Sequence, residues 1–311
     1  MDKLTAKDLK RRYRAGERNF AGVDLSGESL RGMNLKGIDL SGADLSRTDI
    51  RGTQFVNASL QRAQFGQAKA GLQRRWLVGQ LALTLTLAAL FNFIAAVFSA
   101  ALIAYFFEPQ TVEEITINTG ILVLLMMLGM FAAIARQGLT FKALNTILCL
   151  IAGAVAGAVA GAVAGAVAGA VAVAVAGLSG YVAWRALKGD DKFFVVRVFA
   201  LAVGAVGGTS FAGADLTGAY FAQATLKNTN FADSRQRSTV LTKVRWKDAK
   251  KLDRARVGNS ILQNPQVREL LVTLNGAEQN YSSTNLRGAN LAGAKLMGAN
   301  FTGAILSELK G

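Results

Sequence analysis

Residues 20–65 read FAGVDLSGESLRGMNLKGIDLSGADLSRTDIRGTQFVNASLQRAQF, and an apolar side chain returns at every fifth position. The series is Phe20, Leu25, Leu30, Leu35, Leu40, Leu45, Ile50, Phe55, Leu60 and Phe65. Neither the 3.6-residue helical period nor the two-residue strand period produces that spacing. Two positions earlier the side chain is mostly small or apolar, as at Val23, Ile38, Ala43, Thr48, Thr53, Ala58 and Ala63. Immediately before each apolar residue stands a short polar one, as at Asp24, Ser29, Asn34, Asp39, Asp44 and Asp49. Glycine often follows two places later, as at Gly22, Gly27, Gly32, Gly37, Gly42 and Gly52.

Such a pentad cannot bury its apolar face alone, so one turn of chain must stack on the next, as in any solenoid. The same phase returns near the other end. Phe211, Leu216, Phe221, Leu226 and Phe231 lead a second block, Leu241 and Trp246 keep the phase, and Leu286, Leu291, Leu296, Phe301 and Leu306 form a third. The A-[DN]-[LF]-x-x pattern resembles the pentapeptide-repeat family. The resemblance implies a right-handed β-helix with four pentads per coil, central Leu or Phe and the small residue pointing inward, and the remaining positions facing water.

Two non-repeat pieces flank these coils. In residues 1–19, Thr5 and Asp8 are spaced as a capping box and Gly16 can close the helix, which predicts an N-terminal helix covering the first coil. In 264–275, Asn264 suits an N-cap, Pro265 the first turn and Gly276 the stop. Val267, Leu270, Leu271 and Leu274 form its apolar stripe, so a helical insertion interrupts the second repeat region, 209–311.

Charge is segregated along the 311 residues: the formal net charge of +15 resides in the ends. Between 76 and 184 the charged residues are Glu108, Glu113, Glu114, Arg136 and Lys142 alone. A bilayer core needs about 20 apolar helical residues, so 76–107 and 115–135 read as spans. Residues 143–184 are uncharged and read as a hairpin of two more, giving about four transmembrane helices within 76–188. The GAVA run inside it places Gly153, Gly157, Gly161, Gly165 and Gly169 at intervals of four, a close-packing device for helices in lipid. Residues 193–207 include Arg197 and are short for a crossing, which suggests an interfacial or re-entrant helix. The expected fold is therefore mixed: β-helix domains at 20–70 and 209–311 flanking an α-helical transmembrane region. It implies an integral membrane protein, with lipid bilayer as a partner and both repeat domains cytoplasmic by the positive-inside rule. The start RYRAGERNF, the low-complexity block and the LDRARVGNSILQNPQVRELLVTLNG ending together resemble cyanobacterial membrane pentapeptide-repeat proteins. A thylakoid or plasma membrane is implied by that resemblance alone.

Chemistry is sparse. The chain has no His, and its single Cys149 lies in an apolar run, which removes His-based triads, His metal sites and intrachain disulfides. No phosphate-binding loop or nucleophile elbow is present. Asp24, Asp39, Asp44 and Asp49 fall on the pentad phase as outward polar positions, not as a calcium ladder. No catalytic, cofactor-binding or metal residues are nominated, no cofactor is expected, and the chain reads as a non-enzyme.

Three binding readings follow. A regular solenoid suits a protein-interaction scaffold with an unknown protein partner. Asn92, Asn118 and Asn145 would be the polar groups of a channel or transporter. The basic run at Lys243, Arg245, Lys247, Lys250, Lys251, Arg254 and Arg256 surrounds Trp246. Because Trp246 sits on the repeat axis, nucleic acid is the less favoured partner of that run. After Leu306 only SELKG remains, so the final coil either receives a second copy of the chain or is covered by this tail. Leu35→Asp should cost about 4 kcal/mol or more by burying an unpaired charge, and loss of the folded signal in circular dichroism would register it.

Overall fold

A computed structural model describes residues 2–76, 78–80, 82, 83, 86, 185 and 194–310. Two units emerge: one contains Met1–Gly79 with Leu201–Gly311, the other Gln80–Ala200. The first unit is built from the pentads. Parallel bridges join Asn19 to Asp39, Asp24 to Asp44, Ser29 to Asp49 and Asn34 to Gln54, each residue pairing with its equivalent four pentads on. The chain therefore winds as a β-helix in which like positions stack in columns about 4.8 Å apart per rung.

Many pentads turn by one local device. The polar residue before the central one accepts a hydrogen bond from the backbone N–H two places on, as in Ser26 N to Asp24 Oδ1 at 2.8 Å and Ser46 N to Asp44 Oδ1 at 2.8 Å. That Asx contact holds the corner, and Gly27 beyond it takes φ +75°. Arg47 occupies the same corner position at φ 60°, so Gly is favoured there and not obligatory.

The ladder does not stop at the end of the first block. Gln54 pairs with Ser210, Ser59 with Asp215, Gln64 with Tyr220 and Lys69 with Thr225. Coils from both blocks thus form one continuous solenoid, in which Gly71 and Gly208 lie where the first block ends and the second begins. Inside, Phe55 stacks on Phe211 at 5.3 Å between ring centroids, and Phe211 on Phe231 at 5.2 Å. A second column runs Phe65, Phe221, Trp246 at 4.7 and 5.1 Å. Edge-to-face contacts such as Phe211 with Phe221, at 5.6 Å and 84°, lock the columns together.

The expected fold class is corrected in two respects. The repeat regions are not separate β-helix domains flanking a helical region, because their backbones share one ladder. Among the described residues, moreover, no helix is long and apolar enough to cross a membrane. The 11-residue helix Phe194–Gly204 spans about 16 Å, roughly half a hydrocarbon core. That finding overturns the α-helical transmembrane region and the integral membrane location drawn from it. The crossings expected within 76–188, the GAVA hairpin included, fall almost wholly outside the described residues.

Helix α1, Ala6–Arg14, lies over the first coil. The Thr5 hydroxyl accepts from Asp8 N at 3.1 Å and donates to Asp8 Oδ2 at 2.7 Å, while Leu9 is fully buried in the solenoid core. At the far end the coils Asn275 to Lys295, Asn280 to Asn300, Asn285 to Ile305 and Asn290 to Lys310 resume the ladder. Between them and Arg256, the last residue bridged to the preceding coils, stands helix α2, Pro265–Thr273, whose N-cap Asn264 accepts from Gln266 N and Val267 N. Val267, Leu270 and Leu271 are buried. The helix stops at Leu274, left-handed at φ 53°, not at Gly276. Gly276 instead occupies an axial position where an added Cβ would lie 2.8 Å from Leu270 Cδ1.

Buried threonines replace small apolar residues on the inner wall, and their hydroxyls are mostly paired. Thr48 donates to Leu45 O and Thr53 to Leu30 O, both at 2.6 Å. Fully buried Thr229 is the exception, its Oγ1 having no hydrogen-bond partner. An orphaned buried hydroxyl costs about 1–3 kcal/mol, so Thr229→Val should be neutral or stabilising, whereas Thr53→Val should destabilise by about 1 kcal/mol. Urea titration of both variants tests this pair, and destabilisation by Thr229→Val would contradict it. Phe221→Ala, which breaks the second aromatic column and removes its edge contacts to the first, should cost about 3–5 kcal/mol on the same scale.

Candidate interaction surface

Because equivalent residues stack, the outside of the solenoid is a set of side-chain columns. One runs Asp24, Asp44, Gln64, Tyr220 and Arg245; another runs Asn19, Asp39, Ser59, Asp215 and Val240. A third runs Ser29, Asp49, Lys69, Thr225 and Lys250, and the fourth Asn34, Gln54, Ser210, Asn230 and Arg256. Three of them begin with neutral or acidic groups and end on cations contributed by the basic run. Lys243, Arg245, Lys247, Lys250, Lys251, Arg254 and Arg256 are exposed, whereas Trp246 is 3% exposed in the core. The coil thus separates the components of that run, with cations outside and no aromatic platform among them.

The four aspartates are likewise turned to structural use. Asp24, Asp39 and Asp44 each accept the N–H of the serine two residues on, at 2.8–2.9 Å. Among the described residues no group of three or more metal-ligating side chains is assembled. Asp49 differs. Arg51 reaches it through Nε at 3.0 Å and Nη2 at 2.7 Å, and Arg31 through Nε at 2.7 Å. Partial burial pushes the carboxyl up, but the hydrogen bonds from Arg51 and Arg31 outweigh it and hold Asp49 well below the usual carboxylate range. Asp215 is also held low, burial being outweighed by hydrogen bonds from Thr217 and Gln61.

The joint where the chain leaves and rejoins the coils is narrow. Gly71 O accepts from Gly52 N at 2.9 Å and from Thr209 N at 3.1 Å. A Cβ on Gly71 would fall 2.2 Å from Lys227 O, and one on Gly208 2.1 Å from Asn228 O. On the last coil Met297, Ile305 and Leu306 are exposed. The channel candidates Asn92, Asn118 and Asn145 lie outside the described residues.

These features define a repeat protein whose coils present an ordered array of side chains. The pentapeptide-repeat family model matches residues 19–55, 38–70, 207–235 and 281–309, in eight copies, so the coils in those stretches are pentapeptide repeats. A solved structure similar to the chain is that of HetL, a pentapeptide repeat protein involved in heterocyst differentiation regulation from the cyanobacterium Nostoc sp. strain PCC 7120. The identity is 17%, covering 99% of this chain and 94% of that one, with a TM-score of 0.22. No curated protein matches the chain.

The depressed Asp49 carboxyl stabilises the folded state above its unfolded pKa of about 3.9, and that contribution is lost as pH falls through the acid range towards its folded value. Asp49→Asn should therefore cost about 1–3 kcal/mol at neutral pH, with the difference from the parent shrinking below about pH 4. Urea midpoints across pH would show it, and a gap that stays constant with pH would contradict the ion pairing. Gly208→Ala should cost at least about 2 kcal/mol because the methyl group meets backbone, not a yielding side chain. Thermal unfolding checks this.

Proposed function

We propose that the chain is a protein-interaction scaffold without catalytic activity. The observation that carries this reading is the column Asp44, Gln64, Tyr220, Arg245, in which a carboxylate, an amide, a phenol and a guanidinium stand on successive rungs of a continuous solenoid. The ladder already orders the backbone beneath them, so a partner meets a preorganised row and little ordering cost remains. Tyr and Arg are also the residue types that dominate binding energy at interfaces. Typical pentapeptide-repeat proteins are non-catalytic interaction scaffolds, which agrees with this reading.

Self-association through the final coil is a second reading, favoured by exposed Met297, Ile305 and Leu306. One measurement separates the two. A tagged full-length copy isolated under mild conditions should carry a foreign protein at fixed stoichiometry in the mass of the intact complex. Tyr220→Ala with Arg245→Ala should weaken that complex by about 2 kcal/mol or more, near 30-fold, if this column is the contact. A mass that is only a multiple of the chain's own would favour the second reading and count against the first.

A further inference from the structure

The column Ser29, Asp49, Lys69, Thr225, Lys250 belongs to a face whose charge changes along the solenoid. On the early coils its arginines are partly compensated, since Arg31 and Arg51 share the single carboxylate of Asp49. From Lys69 onward that compensation ends. Lys69, Lys227, Lys250 and Lys251 are all exposed, and none lies within salt-bridge distance of a carboxylate among the described residues. The ladder brings them together: Lys69 pairs with Thr225, two residues before Lys227, and Thr225 pairs with Lys250, next to Lys251. Two rungs separate Lys69 from Lys250, or about 10 Å.

Exposed apolar side chains border this cluster. Asn228, adjoining Lys227, donates through Nδ2 to Gly204 O at 2.8 Å, which fixes the segment carrying Val203 and Val206 beside it. The Trp76 ring lies against Gly207, where an added Cβ would fall 2.3 Å from Cδ2. Trp76 is 44% exposed, Val203 45% and Val206 54%. Lysines beside an exposed tryptophan and aliphatic side chains match the two layers of an anionic lipid surface, phosphate outside and acyl boundary within. A nucleic acid would use the lysines but would gain nothing from the valines.

We infer that this face, through Lys69, Lys227, Lys250 and Lys251 with Trp76, Val203 and Val206 at its margin, docks peripherally on an anionic lipid bilayer. Docking of this kind places side chains at the headgroups and needs no spanning helix. It is independent of the protein contact proposed above, whose column lies on another face.

The test is flotation of the full chain with phosphatidylcholine vesicles and with the same vesicles doped with phosphatidylglycerol. Binding should appear only with the doped vesicles and fall as salt is raised. The variant Lys227→Ala/Lys250→Ala/Lys251→Ala should bind roughly 100-fold more weakly, each cation near an anionic surface being worth about fivefold. Arg287→Ala/Lys295→Ala/Lys310→Ala, on the last coils, should bind as the parent does. Should the first variant fail to fold, the salt and lipid dependence of the parent still decides. Equal flotation with neutral vesicles, unchanged binding of a folded first variant, or retention on duplex DNA or polyglutamate in place of vesicles would overturn the inference.

Discussion

Everything in the described unit depends on register. Parallel pairing between residues four pentads apart decides at once which side chains enter the core, which corners need an Asx contact and which exterior groups become neighbours. A slip of one residue would place Asp and Asn on the axis and Leu and Phe in water, so the hydrophobic pattern strongly penalises misregistration. The aromatic columns add direction to that constraint. Ring centroid spacings of 4.7–5.3 Å in Phe65 on Phe221 and Phe55 on Phe211 nearly equal the rung spacing, so a stacked pair reports a correctly seated coil.

Register also explains how a chain can leave the solenoid and rejoin it. Closing a long excursion adds entropy cost only logarithmically with its length, so the stability of the joint is set by what holds its ends. Those ends are tied by Thr209, whose hydroxyl donates to Ile50 O at 2.7 Å and accepts from Gly71 N at 2.9 Å. Gly71 and Gly208 let two backbones pass where a methyl group would not fit. Phe55 stacked on Phe211 then buries the seam beneath the joint. The coil on one side of the excursion is therefore the template on which the other side is laid.

Much of this was legible in the sequence, because the pentad period fixes inward and outward positions locally. Leu25, Leu40, Phe55 and Leu216 all fall on the axis as their spacing required. The joint was not legible, since nothing local states which coil is the neighbour of Ser210. A composition signal existed all the same: Phe replaces Leu at 55, 65, 211, 221 and 231, on both sides of the excursion and in few pentads elsewhere. Reading the blocks as separate domains missed that shared preference. Gly276 illustrates the opposite limit. Its spacing suggested a helix stop, but crowding by Leu270, Tyr281 and Leu296 is what demands a residue without a side chain there.

The surface was the least legible level, for a physical reason. Along the chain Lys69 is remote from Lys227 and Lys250, and only Lys250 and Lys251 belong to the basic run visible in sequence. The ladder assembles all four on one face while dispersing Arg245 and Arg256 to other columns. A linear cluster of cations is thus divided and a scattered set is gathered. Since Trp246 goes to the core in the same operation, the run cannot stack bases as its sequence invites. Any partner of this solenoid would meet columns of side chains one rung apart, not consecutive residues.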